Sequence, residues 1–310
     1  MRVFVAGASG VIGRPLVRDL LAAGHEVTGM TRDAGRGEAI RAQGAEVAIC
    51  DALDPAALRD AVAAARPEVV VHELTAYPWQ LDPRRRGVYD ATNRLRREGT
   101  ANLVAAAKAA GARRLVAQSV AFVYERTGGW VKDEAAPMMS PPEGRFGPTV
   151  AAVLDLERQI LGVEDLEGLV LRYGFFYGPG TAYAPDGYQA QLVCGRRFPI
   201  VGPGTGTFSF VHVDDAAAAT VAAAERGSPG VYNIVDDEPA PLREWLPVYA
   251  KALGAKPPLL VPLWLARLLG GAAVAALAIE LRGASNAIAK RELGWQPRYT
   301  SWRQGFREAL

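Results

Sequence analysis

Cysteine is nearly absent: Cys50 and Cys194 are the only two in 310 residues. They stand far apart, with no C-x-x-C or other metal-type spacing, which speaks against a disulfide framework and a thiolate metal site and fits two reduced thiols in a cytoplasmic protein. No metal is expected. An excess of either charge is lacking too. The 35 basic and 33 acidic side chains leave a formal net charge of +2, so no basic tract supplies the clustered phosphate contacts of nucleic-acid binding. No charged start, apolar core and small-residue cleavage site precede the first apolar run, so no secretory leader is read. The one long apolar stretch, from Leu259 to Leu281, approaches the length needed to cross a bilayer. It carries Pro262, Arg267 and the Gly270-Gly271 pair, and no basic stop signal follows. It is read as buried or pocket-lining helices, and no membrane partner is expected. Internal repeats are missing, and an oligomer is possible but nothing indicates one.

What is present is apolar residue, half of the chain, enough for a sizeable core. Over the first 170 residues short β-branched runs alternate with longer Ala/Leu-rich runs, the pattern of a parallel sheet covered by helices on both faces. Strands are expected at 2–6, 26–31, 46–50, 68–72, 113–118 and 168–172. Helices are expected from near Val11, Gly35, Pro55, Thr92 and Thr149, the fourth running to Ala110 and stopped by Gly111. After Arg172 the alternation gives way to Gly-, Pro- and aromatic-rich stretches. A late strand at 231–235 and helices from Leu242 complete a smaller region. The reading is a doubly wound α/β fold of Rossmann type over 1–172, with contributions from about 211–236, and a mainly substrate-binding region over 173–310.

The turn Gly7-Ala8-Ser9-Gly10-Val11-Ile12-Gly13 joins the first strand to the first helix. Glycines there permit a tight turn and let a pyrophosphate approach backbone N–H groups at a helix N-terminus, where the helix dipole favours negative charge. The spacing is G-x-x-G-x-x-G, and its place in the first crossover marks a dinucleotide site. The second strand ends Thr31-Arg32. An acid at that point would accept from a ribose 2′-OH, whereas Arg32 suits a 2′-phosphate, so NADP is expected over NAD. Asp33 beside it is able to neutralise part of that charge, which keeps NAD open.

With these motifs the chain resembles the extended short-chain dehydrogenase/reductases, a group that includes nucleotide-sugar epimerases and dehydratases. The resemblance covers nearly the whole chain. Cys50-Asp51-Ala52-Leu53-Asp54 is similar to the family's third-strand end, which implies that Asp51 bonds the adenine amino group beside Ala52. Val71-His72-Glu73-Leu74-Thr75-Ala76 is similar to the segment beneath the nicotinamide ribose. Leu171 to Gly180, Phe210 to Asp215, Tyr232-Asn233-Ile234 and Leu293 to Pro297 match later signatures. The resemblance implies cofactor contacts at Leu74, Thr75, Tyr173 and Phe175.

One departure governs the chemistry. The family usually carries Tyr-x-x-x-Lys on the helix before the sixth strand, and no such spacing occurs between residues 110 and 170. With Glu157 aligned to the family's following Glu, the two positions fall on Thr149 and Val153. In the family's mechanism the phenol exchanges a proton with the substrate oxygen while the ammonium lowers its pKa; Val and Thr do neither. Arg96 likewise takes the place of an Asn before Gly99-Thr100. Tyr124 and Ser119 are the candidate replacements for proton transfer, with Tyr173 and Tyr77 also just after strand ends. Ser119 faces away from the site unless the strand has already ended. His72 and His212 read as core histidines, and Glu73 as a base or a ribose ligand. Aromatics at Trp79, Trp130, Phe175, Phe176, Tyr183, Tyr188 and Phe208 suit a partly apolar small-molecule substrate.

The expected function is an NADP-dependent oxidoreductase acting on a carbonyl or alcohol of a medium-sized substrate. The alternatives are a redox-inert NADP(H)-sensing regulator and a nucleotide-sugar epimerase or dehydratase.

Overall fold

The computed structural model describes residues 1–78, 80, 85, 87–144 and 146–308. Trp79 lies outside the described residues. In chain order the first half comprises β1 (Arg2–Ala6), α1 (Gly13–Ala22), β2 (Glu26–Thr31), α2 (Ala34–Arg41), β3 (Glu46–Ile49), α3 (Pro55–Ala65), β4 (Val69–His72), α4 (Asp90–Arg94), a π-turn (Leu95–Gly99), α5 (Thr100–Ala109) and β5 (Arg114–Val120). There follow β6 (Val131–Lys132), α6 (Gly147–Leu161), β7 (Glu167–Tyr173), β8 (Phe175–Tyr177), α7 (Tyr188–Cys194), β9 (Ile200–Val201), β10 (Thr207–Phe208), β11 (Phe210–His212), α8 (Val213–Glu225) and β12 (Gly230–Ile234). The chain closes through β13 (Ala240–Pro241), α9 (Leu242–Ala252), β14 (Leu260–Val261), α10 (Leu263–Gly270), α11 (Ala272–Glu280), β15 (Gly283–Ala284), α12 (Ala287–Glu292) and α13 (Trp302–Glu308).

Seven strands form one parallel sheet in the order β12-β7-β5-β4-β1-β2-β3. Both faces are covered, which explains the nearly unbroken apolar runs of the central strands. Along β1, Val3 and Val5 join the cluster shared with α1, α2 and α8, while Phe4 and Ala6 join the cluster shared with α3, α5 and α6. The order reverses between β1 and β4, and at such a switch point the strands' carboxyl ends leave a crevice for ligands.

The helix starts are written into the sequence. Asp33 caps α2 by accepting from Arg36 N. Asp54 caps α3 by accepting from Ala56 N and Ala57 N, with Pro55 in the first turn, replacing the partners that a first helical turn lacks. The strand expectations hold to within two residues, and Gly111 stops α5 at φ +73°. Two expectations need correction. The helix read as continuous from Thr92 to Ala110 is interrupted by the π-turn, a local change of hydrogen-bond ladder that no residue type announces. The apolar stretch 259–281 is a short strand and two helices, and part of it is not buried: Leu260, Trp264 and Leu268 are strongly exposed. Among the described residues no helix is long and apolar enough to cross a membrane.

Candidate cofactor cleft and active site

At the switch point the ends of β1 to β4 enclose a cleft of about 650 Å³. Gly7, Ser9, Gly10, Thr31, Arg32, Asp51, Ala52, Leu74 and Thr75, all singled out in the sequence, line it. Met30, Asp33, Arg36, Glu73 and Leu95 also line it. Arg36 was not among the expected site residues, although it stands four positions after Arg32 and one turn into a helix whose cap faces the same strand end.

The glycines are required by contact. Gly7 has φ +98°, and a Cβ there would lie 2.6 Å from the Glu73 carbonyl oxygen. A Cβ on Gly13 would lie 2.2 Å from the Gly7 carbonyl oxygen. The turn therefore presses α1 against the sheet edge and keeps side chains out of the crevice. Val11, Ile12 and Gly13 build this turn without lining the cleft. The Ser9 and Thr31 hydroxyls lie 3.2 Å apart across it. Arg32 reaches to 3.6 Å from Asp51 rather than to Asp33, while Asp51 also accepts from Leu53 N. A glycine cradle, two guanidiniums at the second-strand end and an acid at the third fit a nicotinamide dinucleotide.

Glu73 forms the inner wall. One carboxyl oxygen accepts from the Tyr173 hydroxyl at 3.1 Å, and that hydroxyl lies 2.6 Å from Thr220 on α8. The other, Oε2, is buried without a partner. Burial pushes the carboxyl up to about 8, against a smaller opposing effect of the Tyr173 bond. Tyr173, expected at the cofactor, thus sits beneath the cleft with its phenol turned to α8. Phe175 turns the other way. It stacks on Phe122 at 4.7 Å and 14° and leans on Phe208 at 5.0 Å. It does not line the cleft.

The expected proton donors occupy one buried network. β5 runs on through Val120, so Ser119 lies within a strand and points at α6, where its hydroxyl donates to Glu157 at 2.6 Å. Arg172 donates to both Glu157 oxygens, at 2.9 and 2.6 Å, and to the Tyr124 hydroxyl at 2.9 Å. Tyr124 in turn donates to Asn233 Oδ1 at 2.7 Å. Ser119 and Tyr124 are 4 % and 2 % exposed. Burial raises the Tyr124 phenol above its ordinary range, opposed by Arg172. Both hydroxyls read in the sequence as candidate proton donors thus meet internal partners.

His72 is held between Thr100, 2.9 Å from its Nε2, and Leu74 N, which donates to its Nδ1. Burial and the nearby Arg96 charge push it down to about 4. His212 caps α8 by accepting from Asp214 N. Thr149 sits in the first turns of α6, where it accepts from Asn93 at 3.2 Å. Of the aromatics, Tyr183, Phe208 and Phe175 converge with Phe210, Phe176 packs against Tyr173, and Trp130 lies half exposed under Arg282. Among the described residues no cluster of metal-ligating side chains occurs.

Residues 3–235 match the NAD dependent epimerase/dehydratase family, and the chain belongs to that family, within the extended short-chain dehydrogenase/reductases. It is 51% identical to the 3-diazoavenalumate denitrifying reductase of a Streptomyces species, over 98% of this chain and 99% of that one. It is 29% identical to the 2-alkyl-3-oxoalkanoate reductase of Stenotrophomonas maltophilia, over 82% of this chain and 76% of that one. The UDP-glucose 4-epimerase of Thermus thermophilus, solved in complex with NAD, superposes with a TM-score of 0.71 at 25% identity, covering 100% of this chain and 97% of that one. The Thermotoga maritima UDP-glucose 4-epimerase superposes with a TM-score of 0.78 at 21% identity over the same shares, a likeness of fold. The chain is thus an enzyme, an NAD(P)-dependent oxidoreductase.

Proposed function

We propose that the chain is an NADPH-dependent reductase of a medium-sized, partly aromatic acceptor, and that the acceptor is a diazo carboxylate of the kind named for its 51% identical relative. The observation that carries this reading is the composition of α6: it offers neither a phenol nor an ammonium, while Ser119 and Tyr124 are held by Glu157, Arg172 and Asn233. A carbonyl acceptor takes up a proton as well as a hydride. A diazonium carbon does not, because hydride replaces departing nitrogen, Ar–N₂⁺ + H⁻ giving Ar–H + N₂. A bound reduced nicotinamide supplies that hydride.

The chain's own residues bind and orient. Arg32 and Arg36 receive the 2′-phosphate, Asp51 the adenine, the glycine turn the pyrophosphate, and Leu74 and Thr75 the nicotinamide half. Neutral Glu73 brings no negative charge to the diphosphate. The Ser119, Glu157, Arg172 and Tyr124 network fixes α6 against β5 and β7 and takes no part in proton transfer. Residues 1–172 with about 211–236 hold the cofactor, and 173–310 supply most of the substrate wall, led by Phe175. The chain works in the cytoplasm.

The test is to saturate the purified protein with NADPH or NADH, follow nicotinamide fluorescence, and add an aryl diazonium carboxylate or a panel of ketones and quinones. NADPH oxidised one-to-one with N₂ released supports the reading. Ketone turnover without N₂ moves the reaction to carbonyl reduction, and tight binding with turnover of neither favours a cofactor sensor.

A further inference from the structure

Among the described residues three arginines are deeply buried: Arg96, Arg114 and Arg172 are each 5–6 % exposed. Two of them are compensated. Arg172 holds both oxygens of Glu157, and Arg114 meets Glu167 and three backbone carbonyls. Arg96 is not. Its Nη2 donates to the Tyr77 hydroxyl at 2.9 Å and its guanidinium lies 5.9 Å from that ring's centre. Its Nη1 is buried without a partner, and among the described residues no carboxylate pairs with it. A buried charge left unpaired is costly, and an arriving anion removes that cost. The charge is felt nearby, for it helps hold His72 neutral.

Arg96 also stands beside the cofactor cleft. The preceding residue, Leu95, lines the cofactor cleft, and Tyr77 follows two cleft-lining residues, Leu74 and Thr75, by only a few positions. One turn earlier on the same helix Asn93, 2 % exposed, keeps Oδ1 unpartnered while its Nδ2 donates to Thr149. Outward from Tyr77 the rings of Tyr89 and Phe146 follow edge to face, with centres 6.3 and 6.4 Å apart. Phe146 and Phe122 each pack against the core of Val123, Val150 and Val153, and Phe122 stacks on Phe175. An unpaired cation therefore stands at one end of a row of rings, Tyr77, Tyr89 and Phe146, whose far end shares a core with Phe122. The glycine turn that suits a pyrophosphate belongs to the α1 side of the sheet, whereas the π-turn that carries Arg96 packs with α5 and α6 on the other.

We propose that Arg96 is the receptor for a substrate carboxylate, with Nη1 donating to the anion and Tyr77 beside it as second donor. The proposal rests on the reductase reading only in calling the ligand a substrate. An aromatic carboxylate that spans from Arg96 toward Phe122 and Phe175 meets charge at one end and stacking faces at the other. A planar guanidinium suits this task better than an ammonium, because one N–H edge stays on Tyr77 while another takes the acid.

The experiment uses unreactive probes, so that it stands whether or not a diazo compound is reduced. The full chain, saturated with NADP⁺, is titrated calorimetrically with cinnamate and with cinnamamide. The expected result is that cinnamate binds roughly 10- to 100-fold tighter than the amide, the range of a charged hydrogen bond. Arg96→Met removes the preference, Arg96→Lys keeps part of it, and NADP⁺ affinity is unchanged in both. Equal binding of acid and amide by the unaltered protein overturns the proposal without any variant having to fold. So does measurable binding of neither probe, and so does an Arg96→Met variant that loses NADP⁺ and cinnamate in equal measure, since the cation would then serve the cofactor.

Discussion

Glu157 on α6 accepts from Arg172 on β7 with both carboxylate oxygens, and neither side chain is more than 7 % exposed. An ion pair so placed stabilises little against an apolar pair of the same shape, yet breaking it strands one charge. Glu157→Gln is expected to destabilise the chain by about 3–5 kcal/mol. Urea unfolding midpoints measure it, and a loss below about 1 kcal/mol would show that the pair is dispensable.

Ser119→Ala removes only one donor from the same carboxylate. It is expected to cost about 1 kcal/mol of stability and to leave turnover within a few-fold of the parent. A fall in kcat of a hundredfold or more, at unchanged KM, would return Ser119 to the reacting centre.

Arg36→Ala and Arg32→Ala each remove a guanidinium from the cleft. Each is expected to raise the Kd for NADPH by roughly 10- to 100-fold and to change that for NADH by no more than about threefold, as the loss of one charged hydrogen bond implies. Parallel losses for both dinucleotides would place the arginines elsewhere than at the 2′-phosphate.

Gly13→Ala puts a methyl group 2.2 Å from the Gly7 carbonyl oxygen. Backbone cannot yield as a flexible side chain does, so a loss of about 2–4 kcal/mol is expected. Thermal unfolding with and without NADPH reads both parts: a lowered Tm, and a smaller upward shift on adding the dinucleotide.

Glu73 predicts a pH effect of definite sign. Its carboxyl, raised from 4.5 to about 8, keeps in the folded state a proton that the unfolded chain has released. The stability this confers is complete below about pH 4.5 and is lost as pH rises to about 8. Glu73→Gln is neutral throughout, so the parent should fall behind this variant over that window. His72, held down to about 4, adds an opposite slope at acid pH that both proteins share and that cancels in the difference. Parallel stability curves from pH 5 to 9 would refute the assignment.

The sheet and the cofactor turn were legible because their signals are local. β1 and β2 follow from their short apolar, β-branched runs, and the turn from Gly7 to Gly13 needs only its position between a strand and a helix. The network around Arg172 was not legible, for its bonds join residues 15 to 109 positions apart. A serine and a tyrosine at strand ends look available until those partners are in place. Tyr173 and Phe175 show the same dependence on distant partners: two residues apart, on either side of Gly174, one ring joins the cluster with α8 and the other packs against the aromatic cluster. Nothing local to Arg36 marks it in sequence; it lines the cleft from the helix turn that Asp33 caps.

The π-turn from Leu95 to Gly99 holds one residue more than an α-helical turn of the same rise. The two halves of that helix are therefore out of phase by about 100°. Upstream, Asn93 addresses Thr149 on α6; downstream, Thr100 addresses His72 on β4. A regular helix would have to choose between these bearings. Deleting a single residue within the turn would close the extra loop of the ladder and rotate one wall of the site against the other, leaving composition almost untouched while turning Arg96 out of line with Tyr77.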